Sequence, residues 1–272
     1  MRLRITYLFL LLALAGCVKE TTWTSPGDAP RLLAVDAILT SERKTQVITI
    51  NRPVSDLNDT AKPVNGATVL VHSADSTWNL TETPSGSGKY ITPASFMALI
   101  GKTYTLNIFY DGAVYSAKAS MVAGKTFDPL FYLPDAGGNL YHIDYVASAF
   151  SSSSPAMWEI LLDWSAVPGY SGQDPSRCRA RMLFYTLPTL DVSEIFAPVV
   201  EQVSFPAGTS ITERRYSLSP AHAEFIRELL LETGWQGGLF PTQAANVSTN
   251  LSAGALGFFG VCDVTELSMI VH

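Results

Sequence analysis

The stretch Thr103-Tyr104-Thr105-Leu106-Asn107-Ile108-Phe109-Tyr110-Asp111-Gly112-Ala113-Val114-Tyr115-Ser116-Ala117-Lys118-Ala119 carries the clearest structural signal in the chain. Tyr104, Leu106, Ile108 and Tyr110 share one face of an extended segment. Thr103, Thr105 and Asn107 share the other, the period-2 alternation of a half-buried strand. Asp111-Gly112 predicts a two-residue hairpin, because a type I′ turn needs positive φ at both central positions. Ala113–Ala119 then returns as the second strand.

Working outward, short β-like runs recur at close intervals: Leu32–Leu39, Gln46–Ile50, Ala67–His72, Ser76–Thr81 and Gly88–Thr92. Asn65-Gly66 and Gly86-Ser87-Gly88 supply turns between them. Seven strands between Arg31 and Val122 predict an immunoglobulin-like β-sandwich over residues 31–122. No Cys lies in that span, so it would have no core disulfide. On its strand Trp78 shares a face with Leu80, which places it in the core.

Ala123 to Pro129 reads as the junction to a second β-rich unit, residues 128–272. Leu140–Ala147, Met157–Ser165, Arg177–Leu187, Val199–Phe205 and Ala255–Val264 are its candidate strands, and Ser151–Ser154 with Pro155 reads as a connecting loop. One amphipathic helix is predicted over residues 220–233. Ser219 suits the N-cap, Pro220 the first helical position, and Gly234 an αL terminus. Phe225, Ile226, Leu229 and Leu230 form its apolar stripe. The fold class expected is therefore mainly β: a sandwich followed by a second β unit carrying one helix.

Composition narrows the function classes. The 272 residues are 47% hydrophobic and 15% charged, with a formal net charge of −6. Nucleic-acid binding, which needs a basic face, is not expected. Disorder, which needs high charge and few apolar residues, is excluded too. No apolar run reaches the length of a membrane-spanning helix.

The first residues carry an address. Arg2 and Arg4 form a positive n-region, Tyr7–Leu14 an apolar h-region, and Leu14-Ala15-Gly16-Cys17 a lipobox. Residues 1–16 are thus expected to be a lipoprotein signal peptide, with Cys17 the lipidated residue of the cleaved chain. Acyl chains gain about 0.8 kcal/mol per buried CH₂, so two or three hold a protein on a bilayer. Residues 17–30 are rich in Thr, Ser, Pro and Gly and read as a flexible tether. Val18, where Asp would favour the inner membrane, points to the outer membrane. Lys19-Glu20 leaves the leaflet open.

Cys178 and Cys262 remain. In an exported chain an even pair suggests a disulfide, which would close a loop of about 85 residues and contribute roughly 4 kcal/mol. Two buried free thiols are the other reading.

Chemical motifs are sparse. His72, His142, His222 and His272 are scattered, so no metal or other cofactor is expected. There is no nucleophile elbow, P-loop or dinucleotide fingerprint. Gly254, Gly257 and Gly260 sit in an apolar strand, where glycine permits close backbone approach or a bulge. Glu159 and Asp163 share one strand face, opposite Trp158, Ile160, Leu162 and Trp164. That predicts aromatics inward and acids in water, with a glycosidase pair as the competing reading. Asp56-Leu57-Asn58-Asp59 could offer oxygens to Ca²⁺ but lacks EF-hand spacing, so it reads as a solvated loop. Trp235, among glycines beyond the helix, is a candidate partner contact, as are Phe258 and Phe259 in the Gly254–Gly260 segment.

Several of these segments resemble one family of bacterial outer-membrane lipoproteins, the domain of unknown function 4249. They are Leu33–Thr40, Val47-Ile48-Thr49-Ile50, Pro63-Val64-Asn65-Gly66-Ala67-Thr68-Val69, Gly101-Lys102-Thr103-Tyr104-Thr105-Leu106 and, most distinctively, Asn250 to Gly260. The resemblance implies a lipid-anchored β-rich protein, often encoded beside TonB-dependent receptors. It implies no catalytic residue. The function expected is a non-enzymatic accessory protein of the outer membrane, on its periplasmic face or the cell surface, with a TonB-dependent receptor as partner and an unknown small-molecule ligand. An envelope hydrolase or a structural spacer are the alternatives.

Overall fold

A computed structural model describes residues 32–54, 58–189, 202–233 and 247–272. The chain is mainly β, as the alternation predicts. Seven strands lie where the sequence places them: β1 (Leu33–Thr40), β2 (Val47–Asn51), β3 (Thr68–His72), β4 (Thr77–Glu82), β5 (Lys89–Ile91), β6 (Thr103–Tyr110) and β7 (Ala113–Ser120). The β6–β7 hairpin turns on Asp111 (φ +49°) and Gly112 (φ +70°), the geometry that Asp-Gly anticipates.

An eighth strand joins them from the far end of the chain. β13 (Ala255–Cys262) pairs in parallel with β1, from Leu33↔Ala255 to Thr40↔Cys262. The ladder runs β13-β1-β2-β5-β4-β3-β6-β7. It curls until its edges meet: Ala117 bridges Leu251, and Ser252 N–H donates to Ser116 O at 2.8 Å. The enclosed core draws on every part of the ladder, including Leu33, Ile48, Val69, Tyr90, Leu106, Ile108 and Phe259. Trp78 packs against this core, edge to face with Phe96 at 4.9 Å.

The second sheet has the order β11-β10-β12-β14, all antiparallel: β10 (Ala156–Asp163), β11 (Arg179–Thr186), β12 (Ser210–Ser217) and β14 (Val264–Ile270). A separate hairpin, β8 (Phe131–Pro134) with β9 (Tyr141–Tyr145), covers one face. Its inner side chains Tyr132, Tyr141 and Ile143 pack on a core of Trp158, Ile160, Leu162, Phe205 and Ile211. The aromatic face of β10 is inward, as expected. The strand expected over Val199–Phe205 is not a strand where described: residues 199–201 lie outside the described residues, and Phe205 makes a single bridge to Tyr141. β8, β12 and β14 have no counterpart in the sequence reading.

The helix α1 (Pro220–Thr233) has the predicted bounds. Ser219 caps it, its Oγ accepting from His222 N–H at 3.3 Å. The buried face is rotated from the predicted stripe: His222, Ala223 and Ile226 are buried, whereas Leu229 is exposed. The reason is the partner surface. The helix packs over β13 and a small cluster with Leu218, Tyr216 and Cys262, which favours small side chains at the point of closest approach. Gly234, the expected terminator, lies outside the described residues.

The boundary expected near residues 122–129 does not divide the chain into two consecutive units. β13 belongs to the first sheet and β14 to the second, with only Asp263 between them. The predicted linker is itself held on this crossing: Gly124 N–H donates to Asp263 Oδ2 at 2.7 Å, Ser217 Oγ to Val122 O at 2.6 Å, and Thr265 Oγ1 to Lys125 O at 3.1 Å. Composition alone marks a linker by its Gly and Pro, but not the long-range pairing that closes over it.

Candidate functional site

The four-stranded sheet concentrates the ionisable groups. β12 reads Ser-Ile-Thr-Glu-Arg-Arg-Tyr-Ser and runs between β10 and β14, so both its edges are paired. On one face Arg214 stands opposite Glu159 of β10. Arg214 Nη1 donates to Glu159 Oε2 at 2.7 Å, Tyr216 Oη donates to the same oxygen at 2.7 Å, and Arg181 Nε donates to Oε1 at 2.5 Å. Arg214 Nη2 also donates to Glu42, which reaches over from the turn after β1. One guanidinium thus ties the two sheets together. Burial would raise the Glu159 pKa, but the hydrogen bonds from Tyr216 and Arg181 and the two guanidinium charges outweigh it and hold it below the ordinary glutamate value.

Glu159 is therefore not in water, as the alternation suggests, but 7% exposed within this network. Nor does it form a glycosidase pair with Asp163. Four residues along a strand span about 13 Å, beyond the separation such a pair uses. Asp163 is occupied by Arg179 at 2.7 Å and by Ser165.

The opposite face of β12 carries Glu213 and Arg215. Glu213 is fully buried. Its Oε2 accepts from Leu130 N–H at 3.0 Å, while Oε1 has no hydrogen-bond partner among the described residues. Burial pushes its pKa up to about 7, the Leu130 bond opposing only part of the rise. Arg215, 4% exposed, lies 5.5 Å over the Trp158 ring.

Under α1, His222 stacks on Phe258 at 4.8 Å, and Phe258 on Phe225 at 5.0 Å. His222 Nδ1 is 3.7 Å from Cys262 Sγ. Burial drives the imidazole down to about 4 and the thiol up to about 12, so both are neutral at physiological pH. A neutral, enclosed thiol is not a nucleophile.

The expected disulfide does not form. Cys178 and Cys262 are both buried free thiols in different clusters, one beneath the four-stranded sheet and the other beneath α1. Phe258 and Phe259, expected as partner contacts, are buried too, at 6% and 0% exposed. Phe259 packs into the core enclosed by the eight-stranded sheet and Phe258 under α1, so both faces of their strand are covered. Cys17, Trp235, Asp56 and Leu57 lie outside the described residues. Among the described residues no three His, Cys, Asp or Glu side chains cluster as metal ligands, and no helix is long and apolar enough to cross a membrane.

The exposed surface shows what the sequence reading missed. The outward side of the β8–β9 hairpin presents Phe131, Leu133 and Tyr145, exposed by 63%, 48% and 48%. Phe131 and Tyr145 are cross-strand partners with rings 6.4 Å apart. The hairpin is braced by Asp135, which accepts from Ser204 Oγ at 2.7 Å and pairs with His142 Nδ1 at 2.6 Å. Phe131-Tyr132-Leu133 is a continuous apolar run, a pattern equally suited to a strand buried on both faces, so the sequence carries no signal that Phe131 and Leu133 stay outside while Tyr132 packs on the core.

The segment of closest likeness to the family named above is now placed. Gly257 (φ +96°) lies so close to β1 that a Cβ would meet Val35 O at 2.0 Å, and one on Gly260 would meet His222 Cε1 at 2.5 Å. The glycines serve close packing, as read from the sequence. A family model described as Domain of unknown function (DUF4249) matches residues 20–268. The chain belongs to this family. The match runs through both sheets, the helix and the β13 crossing, and stops two residues short of the end of β14. No curated protein matches the chain.

Proposed function

We propose that this protein is a lipid-anchored accessory protein of the outer membrane that works by binding, without turnover, and that its partner is a TonB-dependent receptor. The observation that carries the binding reading is the Phe131–Leu133–Tyr145 face. Three large apolar side chains on a braced hairpin are costly to leave in water, and such patches mark contact surfaces. Aromatic anchors of this kind supply most of the energy in protein interfaces. The lipobox ending at Cys17 and the tether over residues 17–30 support the anchor. The resemblance to lipoproteins encoded beside such receptors supports the choice of partner, by analogy.

The test is capture from detergent-solubilised outer membrane. The Phe131→Ser, Tyr145→Ser double variant should lose receptor co-purification while its melting temperature stays within about 3 °C of the parent, because exposed substitutions rarely change stability much. Undiminished capture by the double variant would overturn this surface. If no receptor is retained by the parent protein either, the partner assignment falls.

A further inference from the structure

A cavity of about 370 Å³ lies where the Ser152–Ser154 loop, the Val122–Lys125 crossing and the start of α1 converge. Its volume is in the range of small-molecule sites. Val122, Pro155, Pro188 and Leu218 make its walls mostly apolar, and the only charged side chains lining it are Lys125 and Arg215. A chain with a net charge of −6 thus turns two cations and no acid toward one concavity among the described residues.

Arg215 is the unusual member. It is 4% exposed, yet its hydrogen bonding is half complete. Nη2 donates to Ser154 Oγ at 2.7 Å and to Ser154 O at 3.2 Å, whereas Nη1 has no partner among the described residues. The Arg215 Cζ lies 5.5 Å over the centroid of the Trp158 ring, a cation–π contact that takes up none of the guanidinium's N–H donors. Asp263 offsets part of the charge, but its carboxylate is engaged by Gly124 N–H and makes no ion pair with Arg215. An unpaired buried guanidinium is expensive, and a planar two-oxygen anion is the group that fits its fork.

We propose that this cavity binds a small organic carboxylate, its carboxylate paired with Arg215 beside Ser154 and its apolar body against Val122, Pro155 and Leu218. Lys125 at the rim draws the anion in. The mixed lining selects for a compact apolar acid over an inorganic anion, which would leave the proline and leucine walls unfilled. The site is separate from the β8–β9 hairpin and does not depend on the partner proposed for it.

Benzoate and hexanoate are the probes, titrated into the full chain and followed by ligand-observed NMR and calorimetry. Saturable binding is expected, with benzamide, hexanamide and inorganic phosphate at least about tenfold weaker, the worth of a charge-assisted pair or of the lost apolar contact. Arg215→Gln should weaken benzoate at least about tenfold. Ala123→Trp, at an exposed position on the cavity wall, should block it without touching the guanidinium and keeps the test valid if Arg215→Gln fails to fold. Absence of saturation by either acid up to about 10 mM, far above a useful affinity, would overturn the proposal. So would equal binding of acid and amide, or benzoate binding unchanged by Ala123→Trp.

Discussion

The imidazole of His222 occupies the space in which a side chain on Gly260 would begin: a Cβ there would lie 2.5 Å from Cε1 and 2.7 Å from Nδ1. The helix is thereby seated on β13 at a distance that only glycine allows. Gly260→Ala should cost about 2 kcal/mol through overpacking. His222→Ala should cost stability alone, yet the double variant should be more stable than the two single effects predict. Denaturant unfolding of the four proteins measures this, and strict additivity would show that the contact does not position the helix.

Glu213 makes stability fall as pH rises. Its folded pKa is about 7 against an ordinary value of 4.5, so the folded state holds the extra proton between those limits. Below about pH 4.5 both states are protonated and nothing is lost. Through pH 7 the cost of ionising the buried acid develops, reaching about 3 kcal/mol at 1.36 kcal/mol per unit. Glu213→Gln keeps the acceptor for Leu130 N–H and should remove this slope. At pH 8 it should unfold at higher denaturant than the parent.

Glu159 acts in the opposite sense. Its pKa is held below 4.5, so its contribution is present above that value and is lost as pH falls through the folded pKa. Glu159→Ala strands Arg214 with only part of its counter-charge and should cost about 3 kcal/mol at pH 7. The deficit should shrink in acid. A loss equal at pH 7 and pH 3 would show that packing, not charge, is what the residue supplies.

A fragment of residues 31–122 should not unfold cooperatively. It contains seven strands but leaves β1 without β13 and exposes Leu33, Val35 and Ala37 beside the missing strand. A peptide of residues 247–264 added in trans should restore a cooperative transition, read by circular dichroism. Cooperative unfolding of the fragment alone would show that β13 is dispensable.

Cys17→Ala should shift the protein from the detergent phase to the aqueous phase on partition, or leave it uncleaved. Unchanged partition and processing would remove the lipid anchor from the proposed function.

The first seven strands are legible because each has one core-facing side and local turns, so pattern and pairing agree. The helix bounds are legible from Ser219 and Pro220. β12 is not, because Glu213 and Arg215 stand on one face and Arg214 on the other, which reads as a loop. Only the tertiary setting makes it a central strand, with Glu159 answering Arg214. The placement of β13 is hidden for another reason. Ala255–Cys262 is visibly a strand, but no local signal says that its neighbour is more than two hundred residues away. Of the candidate site, the hairpin face is local to residues 131–145, whereas the Arg215 cavity joins residues 122–125, 152–155 and 215–220, which only the tertiary fold brings together.

The parallel pairing of β1 with β13 also sets how the fold bears load. Tension applied at the amino-terminal end enters at Leu33, the first residue of a strand flanked on both sides, by eight registered pairs with β13 and four with β2. Drawn along its own axis, β1 must slide, shearing its cross-strand hydrogen bonds together rather than peeling them singly. If the protein is held by its amino terminus, as proposed, and pulled through a partner, β1 therefore resists as a unit rather than unzipping pair by pair.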